Sequence, residues 1–262
     1  MYTHLTTERH GAVEYITLNR PDVRNALNGE LVAELSAWAA SAGEAAGRRE
    51  IRAAVVSGAG PAFCAGADAK WMAGTIAYSE EENLRDAHRL AAMFQALDNL
   101  PVPLIARVHG TALGGGAGLV AVCDIAVADE TAVFGFPEVK LGIVPATISP
   151  FVLGKIGRSA ARELFLTGGR FSAARAREIG LVHRVVSSGQ LDAEVTAFVR
   201  EILTASPAAI ATVKALIGQV WLQGAEDAAA ATADAIAKAR VSSDGQEGLR
   251  TFLEKRTPNW SR

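Results

Sequence analysis

The chain has 262 residues, 50% of them hydrophobic, enough for a sizeable core without metals or disulfides. Lys+Arg 26 against Asp+Glu 28 gives a formal net charge of -2, which argues against a dedicated nucleic-acid binder, whose footprint needs clustered positive charge. No apolar run reaches the ~18–20 residues of a membrane helix, the opening MYTHLTTERHG lacks the regions of a signal peptide, and Cys64 and Cys123 form no CxxC pair. The expectation is a soluble cytoplasmic protein with no metal site.

In chain order, residues 1–12 read either as a strand or as a fraying end. Val13 to Leu18 alternates and is β-rich, a strand that stops at Asn19-Arg20-Pro21. Asn28 then caps an Ala-rich helix running from Gly29 to about Glu44. Ile51 to Val56 is a short buried strand, closed by the loop signal Ser57-Gly58-Ala59-Gly60-Pro61. Residues 80 to 100 form a long helix between Ser79 and Pro101. Leu104 to Val108 is again an apolar strand, followed by glycines 114–116, a helix, and a strand over Asp124 to Ala128. Beyond about residue 190 no strand signal remains, and 191–205, 207–223, 225–240 and 243–256 all read as helices. The chain thus divides into an α/β core, 1–190, and a helical C-terminal region, 191–262.

Two glycine-rich segments follow strands: Phe63-Cys64-Ala65-Gly66-Ala67-Asp68, and Gly110 to Leu119 with Gly114-Gly115-Gly116, which runs straight into a helix. A glycine turn at a helix N-terminus exposes N–H groups that hold a phosphate or a developing oxyanion. Neither a GxxxxGK[ST] nor a GxSxG sequence occurs, and Phe63 stands where a dinucleotide fingerprint needs its third glycine. Two such loops on separate strands can instead direct two N–H donors at one carbonyl oxygen, the arrangement wanted for thioester chemistry through an enolate.

These segments, in this order and spacing, resemble the crotonase (enoyl-CoA hydratase/isomerase) superfamily over about residues 12 to 260. The matching stretches are Asn19 to Leu27, Phe63 to Asp68, Leu113 to Gly116 with Cys123-Asp124-Ile125-Ala126, and Phe136-Pro137-Glu138 through Pro145. Leu166-Thr167-Gly168, Ala176 to Val182 and Phe252 to Arg256 complete the set. The resemblance implies a crotonase-like ββα spiral core carrying CoA and the active site. It implies further that the C-terminal helices cover CoA and assemble trimers or dimers of trimers. It also implies an oxyanion hole made by the backbone N–H groups of Ala67 and Gly115, next to Gly114. Coenzyme A enters as part of the substrate, with no separate cofactor.

By the same resemblance Val23, Arg24 and Ala26 line the CoA channel, Ala65 and Asp68 continue it, and Phe252 and Lys255 cover it from the last helix. Relatives that hydrate usually carry two glutamates; here the first position is Gly118 and only Glu138 remains, as in enoyl-CoA isomerases of the superfamily. Around Gly66 to Met72, Gly114 to Val120 and Val144 to Pro150 the chain is similar to a bacterial hydratase branch that acts on methylglutaconyl-CoA or isohexenylglutaconyl-CoA and commonly lacks the first glutamate. That branch serves leucine or acyclic-terpene breakdown. Lys70 then meets a distal substrate carboxylate or is simply a solvated lysine, and Trp71 walls the acyl pocket or packs in the core. The expected reaction is enoyl-CoA hydration with Glu138 as the proton-transfer group. A Δ3,Δ2-enoyl-CoA isomerase is the alternative, ahead of a non-catalytic acyl-CoA- or RNA-binding relative. The space beside Gly118 is expected to be filled by substrate, water or a neighbouring side chain, and a side chain placed there to project towards the acyl carbons.

Overall fold

Strands β1 (Leu5–His10) and β2 (Val13–Leu18) open the computed structural model, which describes residues 2–261, as an antiparallel hairpin turned at Gly11. Only Leu5 of β1 is buried, so this edge strand carries no apolar alternation. Helix α1 (Gly29–Gly47) follows, capped by Asn28, whose side chain accepts from the Leu31 N–H at 2.9 Å. Then come β3 (Ala53–Gly58), the short α2 (Ala69–Thr75) and α3 (Glu80–Asp98). Ser79 and Glu82 cap α3 reciprocally: the Glu82 N–H donates to Ser79 Oγ and the Ser79 N–H to Glu82 Oε2.

The middle of the chain holds β4 (Leu104–Val108), β5 (Thr111–Leu113), α4 (Gly115–Val122), β6 (Ile125–Asp129) and β7 (Val133–Gly135). After α5 (Ser149–Thr167), β8 (Arg170–Ser172), α6 (Ala173–Glu178) and β9 (Arg184–Val186), the regular elements are helical: α7 (Leu191–Thr204), α8 (Pro207–Val220), α9 (Ala225–Val241) and α10 (Ser243–Glu254). Six strands form the main sheet in the order β1-β2-β3-β4-β6-β9, antiparallel only at β1–β2, while β5, β7 and β8 form a second, smaller sheet. This mixed α/β architecture is the expected one.

Both faces of the main sheet are covered, which is why its strands read as continuous apolar runs. Along β3, Ala54 and Val56 face the large core with Trp38, Phe63 and Phe94, whereas Ala53 and Val55 face Leu191, Val195 and Val199 of α7. The helical stretch beyond residue 190 therefore begins as a layer of the sheet. The helices after it differ: α8 buries no residue, and Ile217, Trp221 and Leu222 stand open to solvent. Among the described residues no single helix is long and apolar enough to cross a membrane.

Candidate active site

The glycine-rich loops leave the carboxyl ends of β3 and β4, which are adjacent and parallel, so both emerge on one edge of the sheet. Their meeting is fixed by backbone hydrogen bonds: the Cys64 N–H donates to the Thr111 carbonyl and the Leu113 N–H to the Cys64 carbonyl, each at 3.0 Å. A third segment braces the first loop. Leu27 donates its N–H to the Gly66 carbonyl at 2.7 Å and accepts from the Asp68 N–H at 2.8 Å, a parallel bridge between Leu27 and Ala67. In such a bridge the residues on either side of Ala67 make the bonds, so the Ala67 N–H points away from Leu27. Among the described residues it finds no acceptor in the chain.

Gly115 is the first residue of α4, whose first-turn N–H groups have no intrahelical partner. Its N-cap, Gly114, has φ 50° and ψ -120°, a conformation that a residue with a Cβ rarely adopts. A Cβ on Gly66 would lie 4.0 Å from Gly114 Cα, so the backbones before Ala67 and Gly115 pass each other with room for little more than a methyl group. The structure therefore brings Ala67, Gly114 and Gly115 together.

Glu138 sits in the first turn of a 3-10 helix at Pro137–Leu141, held by the buried Phe136. Its Oε1 lies 3.0 Å from where a Cβ on Gly114 would stand, which sets the carboxyl beside both loops. Its Oε2 is buried and has no hydrogen-bond partner. Burial raises the Glu138 carboxyl above its ordinary value of 4.5, only partly offset by its own backbone N–H. A buried carboxyl oxygen without a partner in the protein is rare and calls for an explanation, a catalytic role among them. Nearby Cys64 is no competing nucleophile: burial pushes its thiol up to about 12. Among the described residues no cluster of three His, Cys, Asp or Glu is placed to hold a metal ion.

The expected CoA-channel residues fall into one loop cluster. Val23 and Arg24 are exposed, Arg24 with φ 52°, and the Arg24 carbonyl accepts from the Ala65 N–H at 2.9 Å. Ala26 is buried, and both carboxylate oxygens of Asp68 are engaged within the protein: Oδ2 by Arg20, Oδ1 by the Lys70 and Trp71 N–H groups. Burial alone would raise the Asp68 carboxyl, but these bonds outweigh it and hold the carboxyl below its ordinary range. Asp68 is thus a cap and an anchor, holding the start of α2 against Arg20. Lys70 is exposed in the first turn of α2, and half-buried Trp71 packs against the large core. Phe252, 81% exposed, and Lys255 lie at the end of α10, whose main packing partners are α9 and α8. Within one chain these two are not joined to the loop cluster.

Of the expected occupants of the space beside Gly118, the structure shows neighbouring side chains: a Cβ there would stand 2.3 Å from Ile148 Cγ2 and 3.2 Å from Phe94 Cε1, so two core side chains fill it. Gly118→Glu therefore overpacks the core and buries a charge. Its thermal midpoint falls, by ~1–3 kcal/mol of stability for the overpacking alone, and hydration of a short enoyl-CoA does not rise. Adding Ile148→Ala returns part of the midpoint in calorimetry; a single mutant as stable as wild type contradicts this packing.

Composition did not point to Arg20, Asn25, Leu27 or Ile148. Asn25 is fully buried with φ 56°, and its Nδ2 donates to the Ala59 and Ala62 carbonyls at 2.8 Å, pinning the start of the first loop. The available signal was an amide inside a turn-forming stretch, a residue type that tolerates the left-handed region.

The sequence model of the enoyl-CoA hydratase/isomerase family matches residues 8–262. The chain is 36% identical to a mevalonyl-coenzyme A hydratase, sidH, of Aspergillus fumigatus, over 94% of this chain and 90% of that one. It superposes on an enoyl-CoA hydratase of Shewanella pealeana with a TM-score of 0.93 at 36% identity, covering 98% of this chain and 96% of the other. On AtuE of Pseudomonas aeruginosa the TM-score is 0.94 at 36% identity, covering 99% and 100%. With a family match over nearly its whole length and relatives at this identity, the chain belongs to the enoyl-CoA hydratase/isomerase family of the crotonase superfamily.

Proposed function

We propose that the protein adds water reversibly across the 2,3-double bond of an enoyl-CoA thioester. The observation that carries this reading is Glu138, a carboxyl with a buried unpartnered oxygen beside the loops bearing the free N–H groups of Ala67 and Gly115. Water attacks C3 as the Glu138 carboxylate accepts one of its protons. The π electrons move towards the thioester, whose oxygen gains charge between the two N–H donors. The proton held on Glu138 then passes to C2, the carbonyl re-forms and the carboxylate is restored. A carboxyl whose affinity for the proton is increased by burial suits both halves of this exchange. Coenzyme A comes and goes with the substrate, and no separate cofactor takes part.

The apolar Ile148 and Phe94 beside Gly118 favour a second reading, Δ3,Δ2-isomerisation, in which Glu138 takes a proton from C2 and returns it to C4. A panel of 2-enoyl- and 3-enoyl-CoA thioesters with product mass recorded separates the two. Hydration adds the mass of one water, whereas isomerisation leaves the mass unchanged and is followed by chromatography. A wild-type enzyme that only isomerises overturns the hydratase reading.

Within the hydratase reading, the substrate is a branched or carboxylated enoyl-CoA of the methylglutaconyl type. Lys70, exposed one turn from Ala67, is the cation for its distal carboxylate. The unburied apolar residues of α8 and α10 suit coverage by neighbouring copies in a homotrimer or hexamer, which would carry Phe252 and Lys255 to a CoA channel.

The Glu138 shift also fixes a stability signature. Its folded value is raised, so the ionised form costs stability: the native state is unpenalised below the ordinary 4.5 and loses stability as pH rises through the raised value. Glu138→Gln removes that loss. The mutant's midpoint therefore exceeds wild type's at neutral pH, and the gap closes as pH falls towards 4.5, as thermal melts across this range will show.

A further inference from the structure

Arg20 lies behind the reacting groups yet touches both segments that frame them. Its side chain is 14% exposed; Nη1 donates to the Ala26 carbonyl, and Nη2 donates to Asp68 Oδ2 at 2.8 Å. Ala26 and Asp68 are the neighbours of Leu27 and Ala67, the two residues joined in the parallel bridge. Leu27 in turn sets its Cδ1 2.7 Å from the position of a Cβ on Gly115. One planar guanidinium thus spans the two segments that aim the Ala67 N–H, and the residue between its anchors props the second donor. A buried ion pair adds little net stability once both charges are desolvated, but its directional N–H fork fixes distance and angle.

We infer that Arg20 is a positioning residue for the oxyanion site, holding the Ala67 N–H in line by clamping residue 26 to residue 68 across the Leu27–Ala67 bridge. The inference rests on the reading of Ala67 and Gly115 as the carbonyl donors. Its test uses the full-length enzyme with Arg20→Met, Arg20→Lys and Asp68→Asn, the last chosen because asparagine still caps α2. Two quantities are read: the split between kcat and KM, and the carbonyl stretch of a bound saturated acyl-CoA labelled with carbon-13 at the thioester carbon. Hydrogen-bond donation lowers that stretch, so a change confined to folding leaves it at the wild-type position.

Arg20→Met is expected to lower kcat by ~10- to 100-fold with KM within about threefold, less than the outright loss of a donor, and to return much of the carbonyl shift. Arg20→Lys, which keeps the charge and loses the fork, falls between. If Arg20→Met does not fold, the other two variants carry the test, each expected to lose part of the shift and of kcat. Folded variants with wild-type kcat and an unchanged carbonyl stretch overturn the assignment of Arg20. A wild-type enzyme that does not lower the stretch at all overturns the donor reading itself.

Discussion

Glutamine at position 138 lowers kcat by ~10²- to 10⁴-fold, the range set by loss of a general acid–base group, while acyl-CoA affinity stays within a few-fold of wild type. The expected size follows from what surrounds the residue. Position 118 is a glycine packed under Ile148 and Phe94, so no carboxyl there can take over the proton. Glutamine keeps the shape of the side chain and removes only its ability to accept and return a proton. Steady-state rates on the substrate identified by the enoyl-CoA panel, with affinity measured by titration, check the split. A folded variant that retains more than about a tenth of the wild-type rate removes Glu138 from the mechanism.

Gly115→Pro gives the second large effect, and Gly115→Ala is its necessary companion. Both substitutions add a Cβ that meets Leu27 Cδ1 at 2.7 Å, the movable end of a side chain, so alanine controls for that contact, while proline also adds its ring carbons. Proline also removes the N–H, at the first position of α4, where a helix tolerates the missing donor. The alanine variant is therefore expected to stay near wild type in kcat, while proline loses a further ~10²- to 10³-fold, the usual value of one oxyanion donor. The loss falls on kcat more than on binding, because the carbonyl oxygen gains most of its charge in the transition state. Equal kcat for the two variants, both folded by circular dichroism, excludes Gly115 as a donor.

Local signals in the sequence carried the parts of the fold that local physics determines. Leu104–Val108 is a strand with the bounds its apolar run suggests, and Asn28 and Ser79 open α1 and α3 because their side chains satisfy first-turn N–H groups. Strand β1 stayed undecided because five of its six residues face solvent, which removes the alternation that marks a strand. β5, β7 and β8, three residues each, are too short to show any period. At the site, the glycine loops and Glu138 were legible because their chemistry lies in short stretches. The Arg20–Asp68 clamp joins residues 48 positions apart, and Ile148 reaches Gly118 from the turn before α5, so neither contact leaves a trace in local spacing. Which of the expected occupants fills the space beside Gly118 was open for the same reason. A helical position tells which way a side chain points, but not what already occupies that direction.

The bridge between Leu27 and Ala67 also bears on how this enzyme can diversify. The donor proposed at position 67 is a main-chain N–H, so any residue except proline that keeps the loop's path still presents it. Ala67 and Lys70 are exposed, so these side chains are free to change without dismantling the donor. Inherited variation in this loop can therefore reshape which acyl groups are accepted while the rate-giving device passes intact from one generation of variants to the next. A library randomised at 67 and 70, with proline left out at 67, should yield altered acyl preference far more often than inactivity.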